Sequence, residues 1–166
     1  MSSLSSNRLL FILCSILTLP LLSWSLKYPA THQPAIYDTT VARMEDDILG
    51  YVNDYRSKKG LPALQMNADI AREAQKHSVD MASHKVAFGH DGFEERVKII
   101  SYKIGNMNSS AENVAYGNLS PKEVVGIWLK SPGHRKNIEG RYTLTGIGTA
   151  TDENNTIFFT QIFVRK

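Results

Sequence analysis

His90, Glu112 and His134 are the residues of this chain whose types and settings could do chemistry. Each lies in a short segment rich in turn-forming and small residues: Phe88-Gly89-His90-Asp91-Gly92, Ser110-Ala111-Glu112-Asn113-Val114-Ala115 and Ser131-Pro132-Gly133-His134-Arg135-Lys136-Asn137-Ile138. Brought together by a fold, two imidazoles and a carboxylate make a three-ligand set for a divalent metal such as zinc. An open fourth position would hold a water for metal-assisted hydrolysis. The same groups also suit another arrangement, in which Glu112 orients a histidine as general base for a serine such as Ser131 or Ser83. A third reading is structural. The three are then polar residues that hydrogen-bond loops to a sheet, with Glu112 accepting from backbone N–H groups. Sequence alone leaves these three open.

What positions the trio begins after an N-terminal address. Met1–Arg8 is polar with one positive charge, Leu9–Leu22 is apolar, and Ser23-Trp24-Ser25 places small residues at −3 and −1 of a cleavage site. This is the layout of a secretory signal peptide, residues 1–25. The 14-residue apolar run falls short of the roughly 20 residues that span a bilayer, so no membrane anchor is expected after cleavage. Removing 25 of 166 residues leaves 141, the size of one domain. The sole cysteine, Cys14, leaves with the signal, which excludes disulfides, thiolate metal sites and cysteine nucleophiles. Only Arg8 among the charged residues is lost, so the mature charge is +2. No basic stripe interleaved with aromatics occurs, and nucleic acid is not an expected partner. A monomer is expected.

Residues 26–38 hold two prolines and no period, and read as an extended leader. A helix then opens at Asp38 or Thr39 with Met44, Ile48, Val52 and Tyr55 on one face, and stops at Gly60 before Pro62. A second runs from Asn67 or Ala68 to Ser83 with Ile70, Ala74, Ser78 and Met81 aligned. His77 beside that stripe reads as a half-buried histidine with a hydrogen-bond partner, and His84 lies at the fraying end. Phe93 to about Ser101 makes a third, shorter helix, and Ala111–Tyr116 a strand. The fourth helix has Ser120 as N-cap, Pro121 at the first position, Glu123 completing a capping box, and Pro132 as its stop. Strands at Thr143–Ala150 and Thr156–Val164 close the chain around the turn Asp152-Glu153-Asn154-Asn155. Helices first and a hairpin last indicate an α+β domain. Trp128 reads as core, Arg135 and Lys136 as solvated with Arg135 able to cap a carbonyl, and Asn108, Asn118 and Asn154 stand in glycosylation sequons.

From about Val41 to Phe163 the chain resembles the CAP superfamily: cysteine-rich secretory proteins, antigen 5 and pathogenesis-related protein 1, also called SCP domains. The matching residues are Asn53, Arg56 and Gly60-Leu61-Pro62-Ala63-Leu64, then Ala74, His77, Ser78 and Met81-Ala82. Phe88-Gly89-His90, Ala111–Ala115, Trp128, Ser131–Ile138, Gly146-Ile147-Gly148 and Thr160-Gln161 follow in the family's order. The likeness is to the disulfide-free branch of bacterial secreted proteins. It implies a CAP domain over 39–166, folded as a three-layer α-β-α sandwich with a small antiparallel sheet between helices. It also implies that His90, Glu112 and His134 line one open cleft and that His90 and His134 are the metal ligands. The second cleft glutamate of the animal and plant branches is missing, since Leu129, Lys130 and Ser131 follow Trp128. The expected protein is therefore secreted. Its cleft binds an extracellular ligand (lipid or sterol, glycan, or protein), with zinc or another divalent cation optional. The alternative is a metal-dependent hydrolase using the same cleft.

Overall fold

The computed structural model describes residues 39–166; the signal peptide (1–25) and the leader (26–38) lie outside the described residues. Helix α1 spans Thr39–Lys58, and the chain reverses at Gly60, whose φ of +69° suits a residue without a Cβ. A two-residue strand β1, Gln65–Met66, precedes α2, Ala68–Ala82, whose N-cap Asn67 accepts from the N–H groups of Asp69 and Ile70. Helix α3 covers Phe93–Ile104, a turn longer than its apolar spacing indicates. Strand β2 is Ser109–Gly117, and α4 is Pro121–Lys130 with both halves of the Ser120/Glu123 capping box formed. Strands β3, Leu144–Thr151, and β4, Ile157–Arg165, make the closing hairpin.

Two elements are absent from the sequence reading, the short strand β1 and a fifth helix. Pro132 does end α4, but it also starts α5, Pro132–Ile138. Proline lacks only an N–H that the first helical turn leaves unpaired, so it stops one helix and opens the next. Ser131 serves as the C-cap of α4 and the N-cap of α5.

The four strands form one sheet in the order β1-β3-β4-β2. β3, β4 and β2 pair antiparallel, and the short β1 adds a parallel edge. Alternation along β4 divides the core into two layers. Phe159 and Phe163 face Ile48, Val52, Val124, Trp128 and Ile138, whereas Ile162 and Val164 face Ile70, Ala74 and Ile100. The sheet thus lies between α1, α4 and α5 on one side and α2 and α3 on the other. Gly146 and Gly148 let α2 press onto β3: a Cβ at either would overlap the α2 backbone at Ile70–Ala71 or Ala74–Gln75. Trp128 is fully buried and donates its indole N–H to the Val114 carbonyl at 3.2 Å.

β2 is an edge strand, and this places the site. Its outward carbonyls need partners that no fifth strand supplies. Trp128 takes that of Val114, and Asn137 of α5 takes that of Glu112 at 3.2 Å. Helix α5 is therefore drawn against the edge of β2, and it carries His134.

Candidate functional site

His90 stands on the loop joining α2 to α3, and three bonds hold that loop. His77, buried on α2, meets the Gly89 carbonyl through Nε2 at 2.9 Å. Arg96 donates Nη1–H to the Asp91 carbonyl at 2.9 Å, and the Phe93 N–H donates to His90 O at 3.0 Å. Gly92 at the N-cap of α3 has φ +76°, a turn for which glycine is suited. Burial lowers the His77 pKa below its ordinary value. The neutral ring can donate one N–H, and the Gly89 carbonyl receives it.

Glu112 lies under His90 in the middle of β2, with its side chain 1% exposed. Its Oε1 accepts from His90 Nδ1 at 2.9 Å and from Arg96 Nη2 at 2.8 Å. Its Oε2 accepts from Arg96 Nε at 3.0 Å and Nη2 at 2.7 Å. Both oxygens are thus held by side chains, not by backbone N–H groups, and a buried charge is matched by a buried opposite charge. A carboxylate accepts only, so Nδ1 of His90 carries the proton and Nε2 of a neutral ring keeps its lone pair. The His90 side chain is 53% exposed.

His134 approaches from α5, on the other flank of the β2 edge. Asn113 Nδ2 donates to its carbonyl at 3.1 Å, and Asn137 Nδ2 donates to Asn113 Oδ1 at 2.9 Å. Its imidazole pKa lies below the ordinary value because of burial first and the neighbouring His90 second. Its Nδ1 is buried and has no hydrogen-bond partner. The three sequence candidates therefore gather at one strand edge: His90 bonds Glu112 directly, and His134 neighbours His90.

The serines weighed as nucleophiles are not drawn in. Ser83 donates its hydroxyl back to the Val79 and Asp80 carbonyls of α2. Ser131 makes no side-chain capping bond and none to either imidazole among the described residues. His84 lies exposed at φ +57° beyond α2. Arg135 caps the Leu129 carbonyl at 3.2 Å, as its position suggests.

Arg96, Asn113 and Asn137 had no assigned role in the sequence reading. Arg96 was detectable, because with Phe93, Val97 and Ile100 it falls on the apolar stripe of α3. A guanidinium on a buried stripe requires an acceptor set nearby.

A metal test can be made on these atoms. His90 Nε2 is an available nitrogen donor, His134 Nδ1 is an unpartnered nitrogen that lies buried, and Glu112 orients His90 from behind as a carboxylate behind a metal-bound histidine does. Glu112 itself is committed to Arg96. Among the described residues no three or more His, Cys, Asp or Glu are grouped to hold a metal. The arrangement fits a two-histidine site completed by water or by ligand oxygen, not a closed structural site.

Comparison with known proteins covers the span that holds these residues. The profile of the cysteine-rich secretory protein family (CAP) matches residues 49–163. The uncharacterized protein YkwD of Bacillus subtilis is 34% identical over 151 residues, covering 84% of this chain and 56% of its own length. The uncharacterized membrane protein YlbC of the same organism is 29% identical over 134 residues, covering 74% of this chain and 34% of its own length. The chain thus spans between a third and somewhat over half of these curated relatives. Among solved structures, an extracellular SCP-domain protein of Bacillus anthracis superposes with TM-score 0.65 at 30% identity, covering 76% of this chain and 41% of that one. An outer surface protein of Borrelia burgdorferi superposes with TM-score 0.62 at 18% identity over 74% of this chain and 95% of that one, which speaks to fold alone. No helix among the described residues is long and apolar enough to cross a membrane.

Proposed function

The chain belongs to the cysteine-rich secretory protein family, and from that premise we propose that it is a secreted binding module. Its cleft at the β2 edge holds an extracellular ligand, a lipid or sterol, a glycan or a protein, through His90 and His134. Zinc or another divalent cation serves as an optional bridge, with His90 and His134 as its ligands. The observation that carries this reading is the state of Glu112. Both of its oxygens are taken by Arg96 and His90, so it has no free lone pair aimed at a substrate water. General-base work needs such a group within reach of the proton it removes. A divalent ion bound there would polarise a ligand oxygen or acidify a bound water. What this chain's own residues contribute is orientation: Glu112 fixes the His90 ring, and Asn113 and Asn137 fix the helix bearing His134. Secretion is supported by the N-terminal segment and by the extracellular description of the Bacillus anthracis relative.

Metal-dependent hydrolysis is the second reading, and the unpartnered His134 Nδ1 is the observation in its favour. One experiment separates the two. Mature protein loaded with zinc is assayed against peptide and ester libraries beside a His90→Ala/His134→Ala variant. The binding reading expects no turnover above the variant's, together with zinc affinity by calorimetry that vanishes in the variant. Zinc affinity should weaken in acid as protons compete with the metal for the imidazole nitrogens. Turnover lost only in the variant would replace binding by hydrolysis, and calorimetry without heat would remove the metal from both.

A further inference from the structure

The segment after α1 and the segment before β3 enclose a concavity of about 370 Å³, lined by none of His90, Glu112 and His134. Its walls are Leu61, Pro62 and Tyr142, its floor is Arg56, and Arg141 and Arg165 stand at its rim. The charge pattern is one-sided. Three guanidiniums line the pocket, no carboxylate lines it, and none of the three makes a salt bridge among the described residues. Glu139, next in the chain to the lining residue Gly140, accepts from the Tyr55 hydroxyl.

Arg56 sharpens the point. It is 0% exposed, and its partners are all neutral carbonyls, those of Pro62, Ile138, Gly140 and Tyr142. These account for four of the five N–H groups a guanidinium carries. A cation buried without a counter-ion keeps its field, and the field of Arg56 opens into this pocket together with those of Arg141 and Arg165. Burial also raises the Tyr142 pKa, which keeps its hydroxyl neutral beside an incoming anion.

We propose that this pocket is a binding site for a small anion carried on a compact apolar group, a phosphate or carboxylate borne by a ring or short chain. The apolar part packs on Leu61, Pro62 and Tyr142, and the anionic part is held by Arg141 and Arg165 at the rim. Planar guanidiniums bind phosphate and carboxylate through paired N–H groups, and the mix of an apolar wall with a few charged groups is that of a small-molecule site.

The test is calorimetry on the mature chain at low salt with phenyl phosphate, benzoate, inorganic phosphate and the neutral phenyl β-glucoside. Phenyl phosphate or benzoate should bind, and more tightly than either inorganic phosphate or the glucoside. Arg141→Gln/Arg165→Gln should weaken that binding at least about tenfold, the change produced by losing one or two charge-assisted contacts. Lys122→Gln/Lys130→Gln removes the same charge from α4 and should leave binding unchanged. Failure of both aromatic anions to bind overturns the proposal. So does equal binding of the glucoside, of inorganic phosphate, or by the double arginine variant. The arginines are exposed, so their replacement leaves the fold intact, and an unchanged melting curve checks this. His90→Ala/His134→Ala should bind these probes like the unaltered chain, which keeps this result separate from that of the cleft.

Discussion

Arg56 and Arg96 are both buried arginines on the apolar face of a helix, 0% and 9% exposed, yet their partners differ in kind. Arg56 of α1 donates only to backbone carbonyls and ties the turn after α1 to the end of α5 and the start of β3. Arg96 of α3 donates to a carboxylate, and that carboxylate holds a half-exposed histidine. Neutral acceptors make a scaffold joint. A charged acceptor makes a node whose electrostatics reach the surface through His90. The difference shows that a buried cation held by neutral carbonyls joins segments and keeps its charge uncompensated, whereas one paired with a carboxylate is neutralised and positions a side chain at the surface.

The largest effect expected from this comparison is at Arg56. Arg56→Met removes the donor for four carbonyls, of which Ile138 O is fully buried with its bond. Each unsatisfied buried acceptor costs about 1–3 kcal/mol, so a loss of about 3–5 kcal/mol is expected after local relaxation and water entry. Urea unfolding measures it. Arg56→Lys should recover little, since a point-like ammonium cannot span a forked set of carbonyls. A loss under about 1 kcal/mol would show that Arg56 is not a joint.

These two arginines also show what sequence could and could not tell. Helix faces and ends were legible because they follow from local rules: the Ser120-Pro121-Glu123 cap formed as read, and Ile48, Val52, Ile70 and Ala74 point inward as their spacing indicates. Helix α5 was not, because Pro132 signals a stop and a start with the same residue. Strand β1 was not, because two residues carry no period and their pairing with β3 is set by the fold. Of the site, the family resemblance supplied His90, Glu112 and His134. The partner of Glu112 was hidden, because a period identifies a face but not the group opposite it. Arg96 and Glu112 are 16 positions apart, and only the packing of α3 on the sheet joins them.

The Arg96–Glu112 node comes next in size. Glu112→Gln leaves Arg96 buried without its counter-charge and removes an acceptor from His90. Breaking one side of a buried pair costs about 3–5 kcal/mol at full burial. Arg96 keeps its bond to the Asp91 carbonyl, so about 2–4 kcal/mol is expected. Arg96→Met/Glu112→Leu should recover part of that loss, since two apolar groups leave nothing unpaired, and a double-mutant cycle by urea unfolding reads the coupling. If the double variant is as unstable as the sum of the singles, the pair is not a coupled node and the contrast with Arg56 fails.

Glu45 is another buried acid, and it makes no ion pair among the described residues. It accepts from the Thr149 N–H at 3.0 Å, and burial pushes its pKa up to about 7, with Asp46 adding to the rise and the Thr149 bond opposing it. A carboxyl with a raised pKa binds its proton more tightly in the folded chain than in the unfolded one. Its contribution is therefore greatest below pH 4.5, declines as pH rises from 4.5 to about 7, and is constant above that. The shift corresponds to a difference on the order of 2–3 kcal/mol across the window. Glu45→Gln keeps the acceptor oxygen and should flatten that part of the stability–pH curve, as followed by urea unfolding at successive pH values. A curve of unchanged slope would mean that Glu45 ionises as an exposed acid does.

The smallest effect separates the two imidazoles of the cleft. His134 has its pKa held below the ordinary value by burial and, secondarily, by His90. Its neutral form is favoured in the folded chain, so its contribution to stability is full above an ordinary histidine pKa and is lost as pH falls through its depressed value. Replacing His90 with Gln removes the second cause of the depression, the neighbouring imidazole, and leaves the burial. The His134 pKa should therefore rise only part of the way back, which an imidazole NMR titration resolves. Glu112→Gln should not reproduce this rise, because it leaves the His90 ring in the cleft. The sign of the His90→Gln shift is the deciding quantity. A rise means the two rings share one field and can share one ion or one ligand group, whereas no change means they act alone. In that second case His90 remains the surface end of the Arg96 node, His134 becomes only a helix residue over the β2 edge, and the cleft loses half of its donors.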